Sequence, residues 1–107
     1  MSIIQISANQ LKQKLEGSVK PLLLDVRENF ECEIAYIKGS LHIPMNQIPQ
    51  RLNEIDSSKA CVVICHHGIR SQQVANFLEH SGFTNIHNLS GGINAWSIEC
   101  DNSISRY

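Results

Sequence analysis

No apolar run in this 107-residue chain approaches the roughly 20 residues needed to cross a bilayer. The opening stretch MSIIQIS also lacks the basic start and the cleavage site of a secretory signal. Both absences predict a cytoplasmic, soluble protein with no membrane partner. Charge of one sign is missing too. Nine Lys and Arg against ten Asp and Glu leave a formal net charge of -1, and no basic run exceeds two residues. Such a balance supplies no global field for nucleic acid or an anionic surface, so any charge steering must be local. Repeats and low-complexity tracts are absent as well. A chain of this length is expected to form one domain over residues 1–107, because domains cluster at roughly 100–150 residues.

The cysteines lack the spacing of a framework. Cys61 and Cys65 stand four apart on an expected strand, which at about 3.3 Å per residue puts their Cα atoms about 13 Å apart, beyond the bridging range of about 4.4–6.8 Å. There is no CxxC pair, and the positions 32, 61, 65 and 100 fit no common zinc pattern. The consecutive Cys65, His66 and His67 would point apart on an extended segment. Four free thiols and no metal are therefore expected, with Cys32, Cys61 and Cys100 as packing or surface residues.

What is present is an alternation of strand and helix signals. IIQI at 3–6 reads as a strand. Ser7 and Gln10 form a capping-box pattern ahead of a helix over 8–16, with Leu11 and Leu15 on one face and Gly17 as its stop. PLLLDV at 21–26 is a continuous apolar run ending in a carboxylate, as expected of a parallel strand covered on both faces. Residues 28–35 read as a short helix carrying Phe30 and Ile34, with acids in its first turn. After a turn at Gly39 and a brief strand SLHI, Pro49 fits the first turn of another helix with Leu52 and Ile55 inward. ACVVIC is the next strand, followed by a helix with Val74, Phe77 and Leu78 as its stripe and Gly82 at its end. NIHNL at 85–89 is the last strand, before Gly91, Gly92 and a short helix bearing Trp96. Residues 97–107 are polar and aperiodic, and are expected to be a flexible tail. Alternating elements with short links predict an α/β fold, a parallel sheet with helices on both faces.

This layout puts Cys65 at the carboxyl end of a buried strand, where open parallel sheets form their sites. Gly68 lets the backbone turn tightly so that amides converge, the helix starting near Ser71 offers its positive end, and Arg70 adds a full charge. These features favour an ionised, nucleophilic thiolate.

Four segments now resemble a known family: LLLDVRE at 22–28, YIKGSLHIP at 36–44, CHHGIRS at 65–71 and LSGGINAW at 89–96. In order and spacing they are similar to the single-domain rhodanese-like sulfurtransferases. The departures are Tyr36, where the family more often has histidine, and Ser40, where it has alanine. The resemblance implies a five-stranded parallel sheet and an active-site loop over Cys65, His66, His67, Gly68, Ile69 and Arg70. It implies that Cys65 takes a sulfane sulfur from a donor such as thiosulfate, holds it as a persulfide, and yields it to cyanide or a cellular thiol, with no cofactor. A small redox protein is an expected acceptor.

Candidate roles follow from the residues and the resemblance together. Cys65 is the catalytic candidate, and Arg70, His66, His67, Gly68, Ile69 and Ser71 are the substrate-binding candidates. Asp25 and Arg27 are expected to support the site structurally as an ion pair. His66 and His67 would add positive charge below neutral pH or simply shape the loop. His42, His80 and His87 read as packing or surface residues, and Trp96 as a core anchor. Two other readings remain: a non-catalytic binding module, and a phosphatase or arsenate reductase. The second is disfavoured by a six-residue loop, one shorter than in the related phosphatases, that contains no carboxylate to serve as a general acid.

Overall fold

The computed structural model describes residues 3–107, so the readings at Met1 and Ser2 lie outside the described residues. Five strands form one parallel sheet: β1 (Ile4–Ile6), β2 (Leu22–Asp25), β3 (Leu41–His42), β4 (Cys61–Ile64) and β5 (Ile86–Leu89), in the order β1-β5-β4-β2-β3. Four α-helices accompany them: α1 (Ala8–Leu15), α2 (Asn29–Ile34), α3 (Ile69–His80) and α4 (Gly92–Glu99). The capping box at Ser7 is present in full, its hydroxyl accepting from the Gln10 amide while the Gln10 side chain accepts from the Ser7 amide.

Strand β4 lies at the centre, and its alternation divides the core in two. Val62 and Ile64 pack with Leu11, Ile93 and Trp96 on the face covered by α1 and α4. Cys61, Val63 and Cys65 pack with Val74, Ala75 and Leu78 on the face covered by α3. Because successive strand residues point to opposite faces, the register that buries Val63 also commits Cys65 to the α3 side. Every residue of β4 is buried, which is why its sequence reads as an unbroken apolar run.

Four expectations need correction. The segment around Pro49 is not an α-helix but two short 3-10 turns, Met45–Gln50 and Leu52–Glu54, with Pro49 inside the first. Ile48 and Ile55, rather than Leu52, carry its deepest burial. On α2, Phe30 and Ile34 are exposed and Glu31 faces inward, because the helix is oriented by polar contacts rather than by an apolar stripe. On α3, Ala75 joins Val74 and Leu78 in the buried stripe, and Phe77 lies at its edge, 39% exposed. The segment 97–107 begins inside α4, where Ser97 is buried and its hydroxyl donates to the Asn94 carbonyl; Ile104 packs back on the α1–α4 core, and Tyr107 hydrogen-bonds Arg27 and Glu31.

No helix among the described residues is long and apolar enough to cross a membrane.

Candidate active site

Chain direction and packing bring the site together where β4 gives way to α3. Cys65 follows the last residue of β4 and is 1% exposed. Gly68, at φ 106°, reverses the backbone so that its amide points back at the Cys65 sulfur, with the nitrogen 3.0 Å from Sγ. A side chain at this φ would be strained, and a Cβ there would lie 3.3 Å from both the Gly91 nitrogen and the Leu89 carbonyl oxygen. The Ser71 hydroxyl stands 3.3 Å from Sγ on the first turn of α3. It also donates to Asn88 Oδ1 at 2.5 Å, so the Ser71 oxygen is held in place from β5.

The carbonyls of the same loop are taken up from the other side. The first amides of α4 point at them: Ile93 donates to the Cys65 carbonyl at 2.9 Å and Asn94 to the His66 carbonyl at 3.1 Å. Turning these carbonyls toward α4 leaves the opposite edge of the loop free to present N–H groups to the sulfur. The close approach depends on Gly92, at φ 62°, where a Cβ would come within 2.5 Å of the Cys65 carbonyl oxygen. Gly92 thus marks contact between α4 and the loop, a tighter constraint than a turn alone.

Arg70 is placed differently from a free anion-binding arm. Its Nη1 and Nη2 donate to Glu31 Oε2 and Oε1 at 2.7 and 2.8 Å, a bidentate pair across from α2. The Arg70 guanidinium is the main reason the Glu31 carboxyl is held down to about 2. Glu31 also accepts from the Tyr107 hydroxyl at 2.9 Å and from the Glu28 amide at 3.0 Å. The Cys65 side chain acts on Arg70 electrostatically, in the direction that favours the charged guanidinium.

A second ion pair supports the first. Arg27 is fully buried and binds Asp25 through Nε and Nη2, at 2.9 and 2.6 Å. Its remaining donors reach the Ala35 carbonyl and the Tyr107 hydroxyl, both at 2.7 Å, and His42 Nε2 meets the Arg27 carbonyl at the same distance. A buried charge without these partners would be strongly destabilising. The pair therefore ties β2 to α2, and through Tyr107 to Glu31 and Arg70.

His66 is half-buried and its ring stacks under Tyr107, whereas His67 and Ile69 are exposed. Burial, with the neighbouring His67 as a lesser cause, pushes the His66 pKa below its ordinary value, which disfavours the positive charge expected there. The remaining cysteines are free. Burial pushes Cys61 up to about 12 and, with the Asp25 carboxylate, Cys32 up to about 11, so neither is poised as a thiolate. Sequence reasoning missed Glu31, Asn88 and Tyr107. Glu31 sits among several acids of α2, and nothing local distinguishes it; Asn88 and Tyr107 act only through contacts distant in sequence.

Comparisons with known proteins place the chain in a family. The rhodanese-like domain family matches residues 7–99. The chain belongs to that family. This rhodanese-like domain is 36% identical to a sulfurtransferase of Allochromatium vinosum, with 87% of each chain covered. It is 32% identical to the thiosulfate sulfurtransferase GlpE of Shewanella oneidensis, covering 89% of this chain and 93% of that one. Among solved structures, a rhodanese-like domain protein from Staphylococcus aureus superposes with a TM-score of 0.84 at 32% identity, covering 100% of this chain and 99% of that chain. The chemistry named in the two sequence relatives is sulfur transfer, and this chain is a sulfurtransferase-type member of the family.

Proposed function

We propose that the protein transfers a sulfane sulfur through a persulfide on Cys65, accepting it from a donor such as thiosulfate and delivering it to cyanide or a thiol. The observation that carries this reading is the sulfur atom itself: buried at a strand end, with the Gly68 amide aimed at it from 3.0 Å and the Ser71 hydroxyl beside it. A hydrogen-bond donor fixed on a sulfur, here the Gly68 amide, favours its anionic forms, both the attacking thiolate and the persulfide that follows.

The chemistry runs in two displacements. The Cys65 thiolate attacks the outer sulfur of thiosulfate; a new S–S bond forms, the donor S–S bond breaks, and sulfite leaves with the electron pair of that bond. The acceptor then attacks the outer sulfur of the Cys65 persulfide and releases the thiolate. Dividing the transfer in this way gives ping-pong kinetics. Cys65, Gly68 and Ser71 act at the sulfur, while His66, His67 and Ile69 shape the loop around it. The relative GlpE, named for thiosulfate, supports that donor as the one to try first.

The test is thiosulfate:cyanide transfer by the wild-type protein and by Cys65→Ser. Loss of transfer in a folded Cys65→Ser variant supports the reading, and retained transfer overturns it.

A further inference from the structure

The pairing of Arg70 with Glu31 bears on which donors this site accepts, and the following rests on the persulfide reading above. We propose that Glu31 is a specificity-determining residue that neutralises Arg70 and biases Cys65 toward the persulfides of small thiols, reacting as R–S–SH, over the thiosulfate dianion.

Two terminal N–H groups of a guanidinium form the fork that clamps a pair of oxyanion oxygens. In Arg70 both terminal nitrogens are committed to Glu31, at 2.7 and 2.8 Å. The carboxylate is not free to swing away. Besides Arg70 it holds the Tyr107 hydroxyl at 2.9 Å and the Glu28 amide at 3.0 Å, and its side chain is 7% exposed. Arg27 is fully buried against Asp25. Arg27 and Arg70 thus each have their own carboxylate, and neither pair carries a net positive charge to offset a dianion. What the sulfur keeps is the Gly68 amide and the Ser71 hydroxyl, short-range groups suited to one sulfur atom.

A thiol persulfide asks for less. The Cys65 thiolate attacks the outer sulfur of R–S–SH, the new S–S bond forms as the old one breaks, and the thiolate R–S⁻ leaves. The proton of the outer sulfur passes to that leaving group, giving the Cys65 persulfide anion and R–SH. Charge is conserved at -1 throughout, with no redox partner and no sulfonate group to accommodate.

The experiment follows sulfur loading of Cys65 by quenched intact-mass measurement, with thiosulfate or cysteine persulfide as the donor, in the wild type and in Glu31→Gln. The amide keeps the shape of Glu31 and removes its charge. Expected is a higher second-order loading constant for cysteine persulfide than for thiosulfate in the wild type. Glu31→Gln should raise the thiosulfate constant by about threefold or more, and shift the persulfide constant by a smaller factor, because a like charge acts more strongly on the dianion. An equal change for both donors, or none, would overturn the proposal.

A salt titration of the wild type tests it without any variant. With the pair neutralised, the thiosulfate constant should hold or rise as ionic strength increases from about 0.01 to about 0.5 M, because salt screens the repulsion between thiolate and dianion; a steep fall would reveal an uncompensated cation and overturn the assignment. Loading by neither donor overturns the persulfide reading itself, whereas loading by both with an unchanged ratio in Glu31→Gln overturns only the role given to Glu31.

Discussion

The ring of Tyr107 lies parallel to that of His66, with 9° between the planes and 3.9 Å between the centroids. Its hydroxyl accepts from Arg27 Nη1 and donates to Glu31 Oε1, bridging the two ion pairs that flank the loop. Burial pushes the phenol up to about 12, so it remains a protonated donor across the working range. Tyr107→Ala removes the stack and the bridge together, with an expected loss of about 1–3 kcal/mol of stability. Alkylation of Cys65 by iodoacetamide should also become faster, because the cover over His66 is gone. Denaturant unfolding and the alkylation rate check both, and a variant unchanged in each would show the contact to be without consequence.

Gly92 offers a sharper test of how the loop is held. A Cβ there would meet the backbone of Cys65 and His66, not a flexible side chain, so the collision has no easy relief. Gly92→Ala should cost about 2–4 kcal/mol and lose sulfur loading, since α4 must withdraw from the carbonyls that it binds. Circular dichroism with intact-mass loading measures both, and a folded variant with normal loading would contradict this account of the loop.

Much of this was legible in the sequence because short-range rules govern it. The buried β4 run, the capping box at Ser7, and Gly68 and Arg70 after Cys65 each carry a local signal, and together they place a thiol at a strand end. The parts that were not legible are set by tertiary contacts. Glu31 turns inward because Arg70, Tyr107 and the Glu28 amide await it, so α2 defies the apolar pattern suggested by Phe30 and Ile34. The Pro49 segment winds as 3-10 turns, where burial of Ile48 and Ile55 outweighs any continuous helix.

Ser71 joins the sulfur to β5. Ser71→Ala leaves the buried Asn88 Oδ1 without its donor, which should cost about 1–3 kcal/mol. It also removes the oxygen that accepts from the Cys65 thiol, its own proton being committed to Asn88, so alkylation of Cys65 at neutral pH should quicken. Unfolding and alkylation measured on one preparation separate the effects. Loss of stability with unchanged thiol reactivity would make Ser71 purely structural.

The Glu31–Arg70 pair carries a pH signature. The folded-state carboxyl is held down to about 2 from its ordinary 4.5, so its contribution to stability is present above the ordinary value and is lost as pH falls through the folded one. Wild-type stability should therefore drop more steeply than that of Glu31→Gln between about pH 5 and 2. Urea unfolding across that window is the check. Parallel curves would mean that the pair contributes nothing to folding.

The most direct test of the account is intact mass after incubation with a sulfane-sulfur donor, thiosulfate or cysteine persulfide. The wild type should gain one sulfur atom on Cys65 and lose it on adding cyanide, while Cys65→Ser gains none. A wild-type mass that does not change, or the same gain in Cys65→Ser, would contradict sulfur transfer through this thiol.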